Sequence, residues 1–191
     1  MKTYKIIPLL LALLIIQCTG PDQKQTDTMK VTATLPTAGG QAYVVDDVSA
    51  MNIVQIAASS EDHTTLVAAI EAAGLVNVLA NNGPLTVFAP TNEAFEKLPE
   101  GTVEYLLKPE NKMELVNLIH FHAAPGTYKG DLLKDGMKIY QAQGDKVLIE
   151  RHEDESVTVN GAKILATIDA TNGVVHVVDQ VLLPPEKDKN N

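Results

Sequence analysis

Three histidines, one serine-histidine cluster and one acidic cluster hold most of the side chains in this sequence that could do chemistry. Imidazole is a common metal ligand, so His120, His122 and His176 define one candidate site. A metal centre also wants carboxylate or thiolate partners, and none gather beside these histidines in the sequence. The competing assignment makes His122 and His176 core residues whose ring nitrogens are satisfied by neighbours. Ser59, Ser60, Asp62 and His63 supply the residue types of a nucleophile, a base and an acid within five positions. Neighbours at a helix start do not easily reach triad geometry, and no nucleophile-elbow glycines flank either serine. Helix capping accounts for them instead. Glu153, Asp154 and Glu155 fall between two strand patterns, which marks a solvated hairpin turn. Neither GxGxxG nor a P-loop pattern occurs, so there is no phosphate cradle to read.

Charge narrows the partners. With 24 acidic against 15 basic side chains the formal net charge is −9. No basic cluster is present to meet a phosphate backbone, which argues against nucleic acid. There is no tryptophan and aromatic content is low, so stacking platforms for bases or sugars are scarce. A single cysteine rules out an internal disulfide.

That cysteine has a telling position. Lys2 and Lys5 precede an apolar run from Ile6 to Ile16, and Cys18 follows. The run is shorter than the roughly 20 residues a membrane span needs, and it fits the hydrophobic part of a signal peptide. Residues 1–17 are expected to be a lipoprotein-type signal with Cys18 as the lipid attachment point. Gln17 stands where such signals prefer a small residue, so a plain secretory signal or an uncleaved anchor stays open. Residues 18–50 are polar and read as a flexible tether, with Ala42 to Val48 as a strand or the approach to a domain. The folded domain is expected over 51–185, followed by a charged tail, 186–191.

Within the domain, helical spacing appears at Ile53, Val54, Ile56 and Ala57, and again at Leu66, Val67 and Ile70. Asp62 or Thr64 is expected to cap this second helix and Gly74 to end it. Leu75, Val78 and Leu79 suggest another helical turn, before Gly83-Pro84 breaks the chain. LTVFAP, residues 85–90, is a short buried strand. Thr91 caps a helix carrying Ala94, Phe95 and Leu98, and residues 111–120 are amphipathic through Leu115, Leu118 and Ile119. Short strands follow at Ile139-Tyr140, KVLIE and SVTVNG, with turns at Gly144-Asp145 and Asn160-Gly161. The last strand, GVVHVVDQVLLP, opens at Asn172-Gly173, where both residues tolerate positive φ. Its β-branched residues fall on both faces, so it should be buried on both sides. Helices in the first half and strands in the second make the class α+β.

Three segments together resemble the fasciclin-like, or beta-Ig-H3/fasciclin, domain: LTVFAPTNEAFEKLP at 85–99, LIHFHAAPGTY at 118–128 and NGVVHVVDQVLLP at 172–184. The resemblance spans about residues 51–185. It implies a wedge of two β-sheets, about seven strands in all, flanked by a bundle of short α-helices. It also implies non-enzymatic adhesion or extracellular recognition, and a secreted or membrane-anchored form in bacteria. The family pairs a tyrosine with a histidine in the middle motif; here the pair is Phe121-His122, without the hydroxyl. Animal relatives place an integrin-recognition Asp-Ile pair just before the last strand. Here Thr167 replaces the acid and Ile168 is kept, so that route to integrin lacks its carboxylate. Lys129-Gly130-Asp131 resembles an integrin-binding tripeptide, but three residues match by chance often and the family has a simple turn there.

The expected function is therefore cell-envelope adhesion or ligand recognition by one tethered domain, with a protein or polysaccharide partner and no cofactor. The expected location is an outer-membrane lipoprotein, on the surface or the periplasmic face, or a secreted form. Candidate recognition or structural residues are Phe121, His122, Thr167, Ile168 and His176. The alternatives are a periplasmic structural or assembly partner of another envelope protein, and a small-molecule carrier.

Overall fold

The computed structural model describes residues 50–185. The signal segment, Cys18, the tether up to residue 49 and the tail from 186 lie outside the described residues. The elements run α1 (Ile53–Ala58), α2 (Thr64–Ala73), α3 (Val76–Asn81), β1 (Leu85–Pro90), α4 (Asn92–Glu96), α5 (Thr102–Leu106) and α6 (Lys112–Phe121). They continue with β2 (Ala123–Pro125), β3 (Lys138–Tyr140), β4 (Lys146–Arg151), β5 (Val157–Val159), β6 (Ala162–Ala170) and β7 (Gly173–Val178). The fold is α+β, with short helices packed beside seven strands in the order β2-β1-β7-β6-β5-β4-β3.

Strands β1 and β7 run parallel with Phe88 opposite His176 and lie between two cores. Both are apolar apart from Thr86 and His176, because both of their faces are covered. On one face Val87, Ala89 and Val175 pack with Ile53, Val54, Leu66, Ile70, Leu79 and Ile119 of the helices. On the other, Phe88 and Val178 meet Phe121, Ile139, Val147, Ile149 and Val159. This second core lies between the β1–β7 strands and the β3–β5 strands, which are joined through β6. Strand β5 pairs only with Ala162 and Lys163 at the start of β6, whereas β7 pairs along the rest of it. Thus β6 belongs to both halves of the wedge. The halves also approach at their far edges, where the Ala142 amide donates to the Ala123 carbonyl at 2.7 Å.

Two strands escape the sequence reading. Strand β2 is three residues long, too short for periodicity to register. Strand β6 is nine residues long, but most of its side chains are exposed on both faces. It therefore lacks the alternation that marks a half-buried strand.

Some helix termini are capped locally, by the Asn52–Gln55 capping box at α1 and by Thr91 at α4, and others from afar. Neither Asp62 nor Thr64 caps α2 with its side chain. Instead Asn92 Oδ1 accepts from the Thr65 amide at 3.0 Å, and its Nδ2 donates to the Glu61 carbonyl at 2.9 Å. Asn172 does more. Its Nδ2 donates to the carbonyls of Leu79, Asn82 and Ala80 at 2.7, 2.9 and 3.2 Å. Its Oδ1 accepts from the Ile53 amide at 3.0 Å, and its own carbonyl accepts from Leu85 N–H at 3.0 Å. One side chain thus serves the start of α1, the end of α3 and the turn into β7. Helix ends leave carbonyls and amides without intrahelical partners, and this asparagine supplies them. In this turn only Gly173 takes a positive φ, at 154°. A β-carbon on Gly173 would overlap the Leu85 carbonyl, so β1 approaches the turn only because the side chain is missing.

Asn172→Ala should cost about 3 kcal/mol in unfolding free energy, since it strands a buried amide and several carbonyls together. Asn172→Asp should be no better, because a carboxylate cannot donate to those carbonyls. Urea unfolding followed by circular dichroism measures both, and a loss below about 1 kcal/mol would show that solvent replaces the side chain.

Candidate functional site

His176 is fully buried on β7 and makes two hydrogen bonds. Its Nε2 lies 2.7 Å from the Tyr128 carbonyl and its Nδ1 2.8 Å from Thr167 Oγ1. A carbonyl only accepts, so Nε2 carries the proton and Nδ1 accepts from the threonine hydroxyl. The ring stacks on Phe88 at 5.6 Å between centroids and 22° between planes. Thr86, also fully buried, donates to the Gly126 carbonyl at 2.8 Å and accepts from the Tyr128 amide at 2.9 Å. Strands β1 and β7 therefore grip the 126–128 loop through Thr86 and His176, and Thr167 of β6 braces the histidine.

His122 ends α6 and is buried as well. Its Nδ1 lies 2.8 Å from the Leu118 carbonyl and its Nε2 accepts from the Leu182 amide at 3.0 Å. The ring therefore ties the helix terminus to the segment after β7. Phe121 beside it is fully buried in the second core, where a tyrosine hydroxyl would have to find an internal partner. Of the five candidate residues, Thr167 and Ile168 are the exposed ones, and the structure joins Thr167 to His176. His120 is partly exposed in the last turn of α6. Among the described residues no group of three or more His, Cys, Asp or Glu is placed to hold a metal ion.

The serine-histidine cluster does make one contact that its spacing argued against. Ser60 Oγ and His63 Nδ1 are 2.8 Å apart. Ser60 Oγ also accepts from the Asp62 amide at 3.3 Å, as a cap does. His63 Nε2 has no hydrogen-bond partner, so no carboxylate orients the ring as it would in a triad. In the acidic turn, Asp154 Oδ1 accepts from the Ser156 hydroxyl and amide at 2.6 and 3.1 Å, which holds its pKa below the usual carboxylate value. Lys129 reaches Asp169 Oδ1 at 2.6 Å, so the acid beside Ile168 is paired within the domain.

The exposed part of this region is β6. Leu165 is 55 % exposed and Ile168 39 % exposed. Leu165 falls at the bulge between Ile164 and Ala166, outside the pairing with β7. Residues that sequence reasoning missed are Asn92, Asn172 and Thr86. The first two stood inside motif segments, but as turn-type residues, and only long-range geometry reveals them as caps for helices elsewhere.

Both buried rings are neutral with every nitrogen used, so an added proton has no acceptor. Burial pushes the His122 pKa down from 6.5 to about 4, the Leu118 carbonyl opposing only in part. Burial lowers His176 and His63 in the same direction. The unfolded chain binds protons first as pH falls, so this stability is complete above about pH 6.5 and is lost as pH falls to about 4. His122 alone should remove about 3 kcal/mol over that interval. Urea unfolding at pH 7, 5.5 and 4 reads the slope, and His122→Leu should be less stable at pH 7 yet flatter with pH. His176→Leu should cost about 2 kcal/mol, and Thr167→Val about 1 kcal/mol alone but little more on top of it. Additive losses in that double-mutant cycle would show that the Thr167–His176 bond contributes nothing.

The geometry has counterparts in known proteins. A family profile described as Fasciclin domain matches residues 61–184. Protein sll1483 of Synechocystis sp. is 49 % identical over 138 residues, covering 72 % of this chain and 76 % of that one. Immunogenic protein MPB70 of Mycobacterium bovis is 32 % identical over 139 residues, 69 % of each chain. Transforming growth factor-beta-induced protein ig-h3 of Sus scrofa is 42 % identical over 121 residues, covering 63 % of this chain and only 17 % of that longer protein. A solved FAS1 domain pair from the insect cell adhesion molecule fasciclin I superposes with a TM-score of 0.62 at 15 % identity, over 70 % of this chain and 51 % of that one. With the profile covering residues 61–184 and a relative 49 % identical over most of both chains, the chain belongs to the fasciclin domain family.

Proposed function

We propose that this chain presents one fasciclin domain from the cell envelope and recognises a protein or polysaccharide without catalysing a reaction. The observation that carries the recognition reading is β6. It is a strand held rigidly by β7 on one side, yet it leaves Leu165 and Ile168 in solvent beside Thr167. Apolar side chains on a fixed backbone are what a partner surface uses for anchoring, because little is lost in ordering them. The insect relative of known structure is a cell adhesion molecule, which fits this reading. Integrin-type recognition is not favoured, since Thr167 offers no carboxylate and Asp169 is paired with Lys129.

The display reading rests on the amino terminus. Lys2, Lys5, the apolar run to Ile16 and Cys18 suit lipid attachment, and residues 18–50 suit a tether. Among the described residues no helix is long and apolar enough to cross a membrane. A lipid on Cys18 would then supply the anchor.

Protease treatment of intact bacteria carrying the full chain, with lysed cells as control, tests the display. Cleavage on intact cells is expected. Protection until lysis would reject the surface form and favour a periplasmic partner. Adhesion of the same cells to one another and to protein- or polysaccharide-coated surfaces tests β6. Leu165→Asp should reduce it roughly tenfold, the loss of about 1.4 kcal/mol, at an unchanged melting temperature.

A further inference from the structure

Strand β6 has an open edge. On one side it pairs with β7 from Ile164 to Ala170, while on the other β5 takes only Ala162 and Lys163. From Ile164 to Ala170 no described strand lies along that outer edge. A bare row of amides and carbonyls is a template for another strand, and folded proteins cover or guard such rows. The two end strands of the sheet do so by meeting each other at the Ala142–Ala123 bond.

The chain itself arrives at the open edge of β6. Asn52 caps α1, and the residue before it, Met51, is fixed beside the end of β6. The Met51 carbonyl accepts from the Thr171 amide at 3.0 Å. Backbone groups alternate in direction along a strand, so the amides of Asp169 and Thr167 point to the same side as that of Thr171. In an extended chain the carbonyls of Ser49, Asp47 and Val45 fall in phase with that of Met51. A segment laid back from Met51 along β6 runs parallel to it and needs no turn. Counted residue for residue from Met51 beside Ala170, Ala50 to Val45 span Asp169 to Ile164, and stop where β5 begins. Val44, Val45 and Val48 favour an extended backbone. Asp46 and Asp47 supply the charges that outermost strands carry against further pairing.

We propose that residues 44–49, which lie outside the described residues, add to the outer edge of β6 as a parallel strand. The Asp169 and Thr167 amides donate to the carbonyls of Ser49 and Asp47. Their attachment at Met51 holds these residues at an effective concentration on the order of millimolar, which favours them over any separate chain. Edge pairing leaves both faces of β6 open, so this inference is independent of the adhesive reading through Leu165. It also leaves only the residues before 44 as free tether.

Amide hydrogen exchange on the full chain, read residue by residue, tests the proposal. The Thr167 and Asp169 amides should exchange at least roughly tenfold more slowly than those of an open strand edge, at any protein concentration. Asp47→Pro removes an amide that faces β6 and should abolish that protection. Asp46→Pro loses the same charge but an amide that faces away, and should preserve it. The Val175 amide should stay slow in both variants, which shows that the domain is folded. Fast exchange of Thr167 and Asp169 in the unaltered chain, or equal behaviour of the two proline variants, would overturn the proposal. Protection that disappears on dilution would also overturn it, and would assign the edge to a second copy. Should Asp47→Pro unfold the domain, the Asp47 and Ser49 amides of the unaltered chain still decide: slow exchange supports the added strand and free exchange rejects it.

Discussion

The requirement that every helix end find partners governs this domain, and Asn172 meets it at the most crowded point. Helices α1 and α3 are each six residues long, far below the length that is stable alone. Their exposed termini would cost more than their few internal bonds contribute. The turn before β7 delivers one amide side chain to both of them. Asn92 serves the start of α2 from the first position of α4. The helices are thus not independent elements that dock on a sheet. They are completed in part by two side chains distant in sequence, Asn172 before β7 and Asn92 at the start of α4.

The same economy explains the buried histidines. Each replaces a missing backbone connection: His122 joins α6 to the segment after β7, and His176 joins β7 to the 126–128 loop and to β6. Imidazole suits this because it donates and accepts at opposite edges of one flat ring, and a flat ring also stacks on Phe88. An aliphatic residue would fill the space but leave a carbonyl dry. This is why an apolar strand tolerates a polar residue at its centre.

How much was legible follows from how local each signal is. Strands β1 and β7 announce themselves as short runs rich in apolar and β-branched residues, and Thr91 as the cap of α4 is a three-residue pattern borne out by its bond to the Ala94 amide. Helix α6 is visible because Leu115, Leu118 and Ile119 share a face. The caps by Asn92 and Asn172 act across tens of residues, where no spacing rule reaches. Strand β6 was hidden because solvent on both sides removes the alternation that would reveal it. The contact of Ser60 with His63 was missed for another reason: a short 3-10 turn brings positions three apart together more tightly than loop reasoning assumes.

The parallel pairing of β1 with β7 has a consequence for how the chain is made. Strand β1 takes as its neighbour β7, the last strand in chain order among the described residues. Until β7 has emerged, β1 has no partner along that edge, α1 and α3 lack their shared cap, and neither core can close. Loop closure over so much of the sequence makes the final step slow relative to local helix formation. Both cores therefore depend on β7, which contributes Val175 to one and Val178 to the other.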